Sequence, residues 1–83
     1  MTTPTTIITY TGHNEVMERT IREYMSECEN ITSELDSGFF MEEGAEEGTR
    51  DITFEGVMTH GEEIELEDIG QQYNLTILTL DEE

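Results

Sequence analysis

Lysine is absent from this 83-residue chain, and its only fixed cations are Arg19, Arg22 and Arg50. Three arginines cannot neutralise a phosphate backbone or an anionic leaflet, so direct nucleic-acid and membrane-surface binding are excluded as function classes. A single cysteine, Cys28, rules out an intramolecular disulfide and fits a reducing compartment. No apolar run approaches the ~20 residues a membrane helix needs. The start, residues 1–6, lacks the basic-then-apolar order of a secretory signal. Cytoplasmic residence is therefore expected, and the sequons at Asn30 and Asn74 are read as chance.

What the chain has is negative charge: 21 acids give a formal −18. From Glu34 to Glu83, sixteen carboxylates stand against Arg50 alone, for −15, while the first 33 residues carry −3. The 34% apolar fraction is low and would suit disorder, but the apolar residues are patterned. The expectation is one small folded acidic domain over 1–83, with 81–83 a frayed tail, strained by self-repulsion that salt relieves.

Ile7 to Tyr10 is a β-branched and aromatic run that reads as a first strand. From about 14 to 29 the period becomes helical, with Met17, Ile21, Tyr24, Met25 and Cys28 on one stripe. Asn14 or Thr11 is placed to cap this helix. Four-residue spacing pairs Arg19 with Glu15 and Glu23, and Arg22 with Glu18, each pair contributing ~0.2–0.5 kcal/mol.

Beyond Asn30 the period becomes two. Residues 31–41 and 50–58 read as an antiparallel pair around the acidic loop 42–49, with Ile31, Ser33, Leu35, Ser37, Phe39 and Met41 on the inner side. The run Gly61 to Ile69 alternates carboxylates with aliphatics. As a strand it points Ile64 and Leu66 inward and Glu63, Glu65 and Glu67 outward. A competing reading makes 66–73 a short helix, with Gly70 counting against a long one. Residues 75–80 form a nearly apolar last strand, expected to be central. The sum is an α+β fold: one amphipathic helix on a mostly antiparallel sheet of four to five strands, in the order β-α-β-β-β-β. The open sheet face is expected to carry Glu34, Asp36, Asp51, Glu55, Glu63, Glu65 and Glu67.

Residues i and i+2 of a strand lie ~6.6–6.8 Å apart on one side, so such rows present regularly spaced negative charge, as nucleic acid does. Ordinary soluble surfaces mix signs, whereas this one is nearly single-signed. The partner-binding residues expected on this ground are Glu34, Asp36, Asp51, Glu55, Glu62, Glu63, Glu65, Glu67 and Asp68, with Glu42, Glu43, Glu46 and Glu47 at the rim. Loop 42–49 lacks the oxygen ligands a calcium loop needs at its first, third and fifth positions. His13, His60 and Cys28 lack metal-ligand spacing, and no pair of carboxylates is set in opposed environments for acid–base work. No cofactor, no metal and no enzymatic activity are expected.

Length, charge, missing lysine and acidic alternation together resemble the DNA-mimic inhibitors of bacteriophages and mobile elements. That class includes anti-CRISPR, anti-restriction and uracil-DNA glycosylase inhibitor proteins. The resemblance is one of size and charge and assigns no residue a role. It implies a phage-encoded protein in the cytoplasm of an infected bacterium, evading host defence by a stoichiometric protein–protein interaction. The partner would be a basic DNA-binding nuclease, CRISPR effector or repair enzyme, with anti-CRISPR activity favoured by the length. Two other classes remain open. A salt-adapted domain of a halophile or its virus is favoured by the missing lysine and disfavoured by 17 Glu against 4 Asp and a single alanine. An acidic virion or assembly protein is the other.

Overall fold

The computed structural model describes residues 4–12, 14–41, 43–44 and 46–80. The expected tail 81–83, together with His13 and Glu42, lies outside the described residues. The fold is α+β. Its elements run β1 (Thr5–Thr11), α1 (Glu15–Glu27), β2 (Ile31–Phe40), β3 (Thr49–Gly56), α2 (His60–Ile69), a 3₁₀ turn (Gln71–Tyr73) and β4 (Thr76–Leu80). The four strands form one antiparallel sheet in the order β2-β3-β1-β4. Each helix links two parallel strands that have a third strand between them, the double split β-α-β connectivity called ferredoxin-like.

β1 alternates as its sequence demands: Thr6, Ile8 and Tyr10 are buried, while Thr5, Ile7, Thr9 and Thr11 face the other way. The buried Thr6 hydroxyl donates to the Gly56 carbonyl at 2.7 Å, so the sheet's inner face leaves no orphan there. Asn14 caps α1, its Oδ1 accepting from the Val16 and Met17 amides, and Met17, Ile21 and Met25 turn inward at helical spacing. These join Ile8, Tyr10, Cys28, Ile52, Phe54, Met58, Leu66 and Leu75 in one core. Gly56, at φ +115°, lies so close to Asn30 that a Cβ there would fall 2.0 Å from the Asn30 carbonyl oxygen, which requires glycine.

Three expectations are corrected. The segment 62–69 is not a strand. It belongs to α2, whose N-terminus is fixed by a capping box: the Glu62 amide donates to Thr59 Oγ1 while the Thr59 amide donates to Glu62 Oε1. The chain order is thus β-α-β-β-α-β. The rival helix over 66–73 is right about Leu66 to Ile69 but places the start six residues late. α2 stops at its C-cap Gly70, a position that takes glycine because a Cβ there would strike the Leu75 side chain. Second, β4 is an edge strand, paired among the described residues with β1 alone. Its Leu78 and Leu80 face outward and are exposed, so its apolar character does not mark a central position. Third, β2 does not bury alternate residues. Its register shifts between Ile31 and Ser33 and again between Glu34 and Asp36, and Ser33, Leu35, Phe39 and Met41 are exposed.

Candidate functional site: an acidic helix layer

Both helices pack on the same side of the sheet, since Met17, Ile21, Met25 and Leu66 meet Ile8, Ile52 and Phe54 in one core. The helices also touch directly, the Tyr24 hydroxyl donating to the Glu62 carbonyl at 3.3 Å. This layer, and not the open sheet, holds most of the ordered negative charge. α1 and its C-terminal turn expose Glu15, Glu23, Glu27 and Glu29. α2 carries Glu62, Glu63, Glu65, Glu67 and Asp68 within its 10 residues.

Helical geometry sorts the α2 carboxylates. Leu66 is fully buried and points to the sheet. Glu62 and Glu63 flank that inner side and are half-buried. Glu62 is held by the cap, and Glu63 accepts from the Thr79 hydroxyl at 3.5 Å. The Thr59 amide, then a contact with the Cys28 thiol, draws the Glu62 carboxyl below the ordinary glutamate value. Glu65, Glu67 and Asp68 point to solvent around the exposed Ile64. Beside them Ile64, Glu67, Asp68, Gln71, Asn74 and Leu75 line a shallow, open depression.

The open sheet face carries less charge than expected. Register places Asp36, Asp51 and Glu55 there among Thr5, Thr9, Thr49, Thr53 and Thr76. It does not place Glu63, Glu65 and Glu67 there, because they ride on α2 on the far side of the sheet. Glu34 is also lost from that face: it lies opposite Phe54 on the helix side, where it accepts from Arg22 Nε at 2.7 Å. Glu43, Glu46 and Glu47 are exposed at the β2–β3 tip, and Glu42 lies outside the described residues. The expected acids therefore fall into separate groups on α2, the tip and the sheet face, and do not form one row.

Arg22 and Arg50 are engaged in ion pairs that spacing alone does not fully reveal, Arg50 largely buried and Arg22 half-exposed, while Arg19 stays exposed. Arg22 bridges Glu34 and, at 3.6 Å, Glu18, while Arg50 Nε lies 2.7 Å from Glu18 Oε1. The last contact lies off the N–H direction and is an ion pair without an aligned hydrogen bond. Arg22 meets Glu18 as its four-residue spacing predicts. Arg19 forms no ion pair with Glu15 or Glu23 among the described residues. The exposed acids of α1, Glu15, Glu23, Glu27 and Glu29, are not among the partner-binding residues expected from sequence.

Among the described residues no group of three or more His, Cys, Asp or Glu side chains is placed to hold a metal ion. No helix among them is long and apolar enough to cross a membrane. The ferredoxin-like connectivity also serves RNA-binding modules, which stack bases on sheet-face aromatics. Here the two central strands present Thr5, Ile7, Thr9, Asp51, Thr53 and Glu55 to that face with no aromatic among them, and connectivity alone assigns no activity. Comparison with protein-family models, with curated proteins and with solved structures finds no match.

Proposed function

We propose that this protein is an acidic inhibitor that occupies the basic DNA-binding surface of a host nuclease, CRISPR effector or repair enzyme in place of DNA. An anti-CRISPR carried by a phage is the form that its length and charge favour. One observation carries the reading: α2 sets five carboxylates in 10 residues with no cation among them. At ~1.5 Å rise per residue that is one charge per ~3 Å of axis, close to the ~3.4 Å spacing along one DNA strand. The expected strand row, one charge per ~6.6–6.8 Å, is replaced by a helical array about twice as dense along its axis. The exposed acids of α1 lie in the same layer, and Arg22 and Arg50 are engaged with Glu18 and Glu34. A docked basic groove would gain counterion release and fast, salt-sensitive association.

The test uses the outward residues Glu65, Glu67 and Asp68, since Glu63 is tied to Thr79. Wild-type protein should capture a basic DNA-binding protein from bacterial lysate at low salt, release it at high salt, and block its DNA binding stoichiometrically. The E65K/E67K/D68K variant should fold and lose both effects. Capture of nothing salt-sensitive, or full inhibition by the triple variant at the same dose, would sink the reading.

A second reading, salt adaptation of a small acidic domain, is favoured by the absence of lysine. It predicts a fold that needs molar salt, whereas an inhibitor must be folded near ~0.15 M, the physiological ionic strength.

A further inference from the structure

β2 is a 10-residue edge strand whose one strand partner among the described residues is β3. Edge strands are ordinarily protected by bulges, prolines or lysines. Both irregularities of β2 fall in its first half, and from Asp36 to Phe40 it runs in regular register with no proline and no lysine. Within it the Ser37 amide donates to Asp36 Oδ1 at 2.8 Å, a bond local to β2. Around this stretch Leu35, Phe40 and Met41 are 47–58% exposed. A regular edge beside exposed apolar side chains is the arrangement that accepts an added strand.

Charge decides the occupant. A second copy would bring another −18 and repeat every carboxylate along the edge. On the open face the edge shows Asp36, Gly38 and Phe40 in succession. Gly38 has nothing within 4 Å of where a Cβ would stand, so Asp51, its neighbour on β3, is uncovered toward the edge. Two strand spacings are ~9.5 Å, which an arginine on an added strand can span to meet Asp51.

We propose that the β2 edge at 36–40 binds an extended basic segment of a partner protein as a fifth strand. In an antiparallel strand the face shared with Asp36, Gly38 and Phe40 would read apolar-x-basic-x-basic. The apolar residue lies against Phe40 and the two basic residues against Asp51 and Asp36. This surface is distinct from α2 and does not depend on nucleic-acid mimicry: E65K/E67K/D68K reverses the outward charge of α2 and leaves the β2 sequence unchanged.

The probe is a capped peptide, Thr-Val-Thr-Arg-Thr-Arg-Thr, added to the full chain and followed by amide NMR and hydrogen exchange. The expected result is tenfold or greater slowing of exchange confined to the amides of 36–40 and their cross-strand neighbours. The same peptide with glutamate for arginine should not bind, nor should one N-methylated on the amides facing β2. A D36K/F40K variant, altered only at exposed positions, should keep its fold and bind at least tenfold more weakly. Four results would overturn the proposal. These are no binding, equal binding by the N-methylated peptide, shifts centred on α2 or the 43–47 tip, and a peptide-free dimer with β2 amides already protected.

Discussion

Arg50 Nε lies 2.7 Å from Glu18 Oε1, joining β3 to α1 through a carboxylate residue that is only 7% exposed. Removing one member of a buried pair leaves the other charge poorly compensated, here with Arg22 at 3.6 Å in place of the 2.7 Å contact, and the cost of that exceeds the net value of the pair. Arg50→Met should therefore destabilise the fold by about 3 kcal/mol. The double change Glu18→Leu with Arg50→Met should recover most of that loss. Urea unfolding of the two single variants and the double variant measures the coupling, and additive losses would show that the pair is not a unit.

Leu66 and Ile64 separate the helix from the strand it resembles in sequence. In a strand, residues two apart share a face and would be equally buried. In α2 Leu66 is 0% exposed and Ile64 is 54% exposed. Leu66→Ala should cost about 3 kcal/mol by the usual cavity penalty, and Ile64→Ala no more than about 0.5 kcal/mol. Equal losses in thermal or urea unfolding would restore the strand.

That pair also marks where the sequence was readable. α1 is legible because its apolar stripe repeats at helical spacing and Asn14 stands where a cap must. β2 and β3 are legible as a pair because period-two patterning flanks a loop. α2 misleads because Glu63 to Glu67 alternates acids with aliphatics, imitating a half-buried strand over a window too short to separate two periods. The signal that resolves it is local: Thr59 followed three residues on by Glu62 is a capping box. β4 misleads differently. A nearly apolar strand serves equally at the centre of a sheet or at an edge whose outer face is left uncovered, and only the pairing of β1 on both sides decides. The Glu18–Arg50 pair joins residues far apart in sequence, beyond the reach of any spacing rule.

The capping box carries a pH dependence. Glu62 titrates below its ordinary value of 4.5 because its carboxylate accepts from the Thr59 amide. A lowered folded-state value contributes stability that is present above pH 4.5 and lost as pH falls through the folded value. Glu62→Gln should flatten that part of the acid limb. Thr59→Ala, which removes the acceptor for the Glu62 amide, should cost about 1 kcal/mol at pH 7. Side-chain carboxyl NMR of Glu62 across the titration checks the direction, and a midpoint at or above 4.5 would contradict it.

Cys28 sets the alkaline side. Burial in the core, then the nearby Glu62 carboxylate, pushes its thiol up to about 12. Tyr10 is raised by burial and then Glu18, and Tyr24 by burial and then Glu65. In each case the unfolded chain ionises first. The stability these groups contribute is full below the unfolded values, 9.0 for the thiol and 10.0 for the phenols, and falls as pH rises through the folded ones. The native thiol should resist iodoacetamide at pH 8 and react at once in urea. Cys28→Ala should remove only its share of the alkaline loss. Rapid native labelling would place the thiol at the surface.

Salt should act on this fold more strongly than on a charge-balanced domain of its size. The formal charge is −18 and the longest dimension is 39 Å. Screening extends over ~30 Å at 0.01 M salt and ~8 Å at 0.15 M, so at low salt nearly every carboxylate repels every other. The Glu18–Arg50 and Arg22–Glu34 contacts are close attractive pairs, and salt screens the partly buried Glu18–Arg50 contact less than the long-range repulsion. The net effect of salt is therefore stabilising. The urea midpoint should rise steeply from 0.01 M to about 0.15 M NaCl and level off near ~0.5 M, where the screening length falls below typical surface-charge separations. Such a plateau leaves the protein folded under the conditions in which a DNA-binding target works, as an inhibitor requires. A midpoint still climbing beyond about 1 M, with the chain unfolded at ~0.15 M, would assign the acidity to salt adaptation and remove the basis for the inhibitor reading.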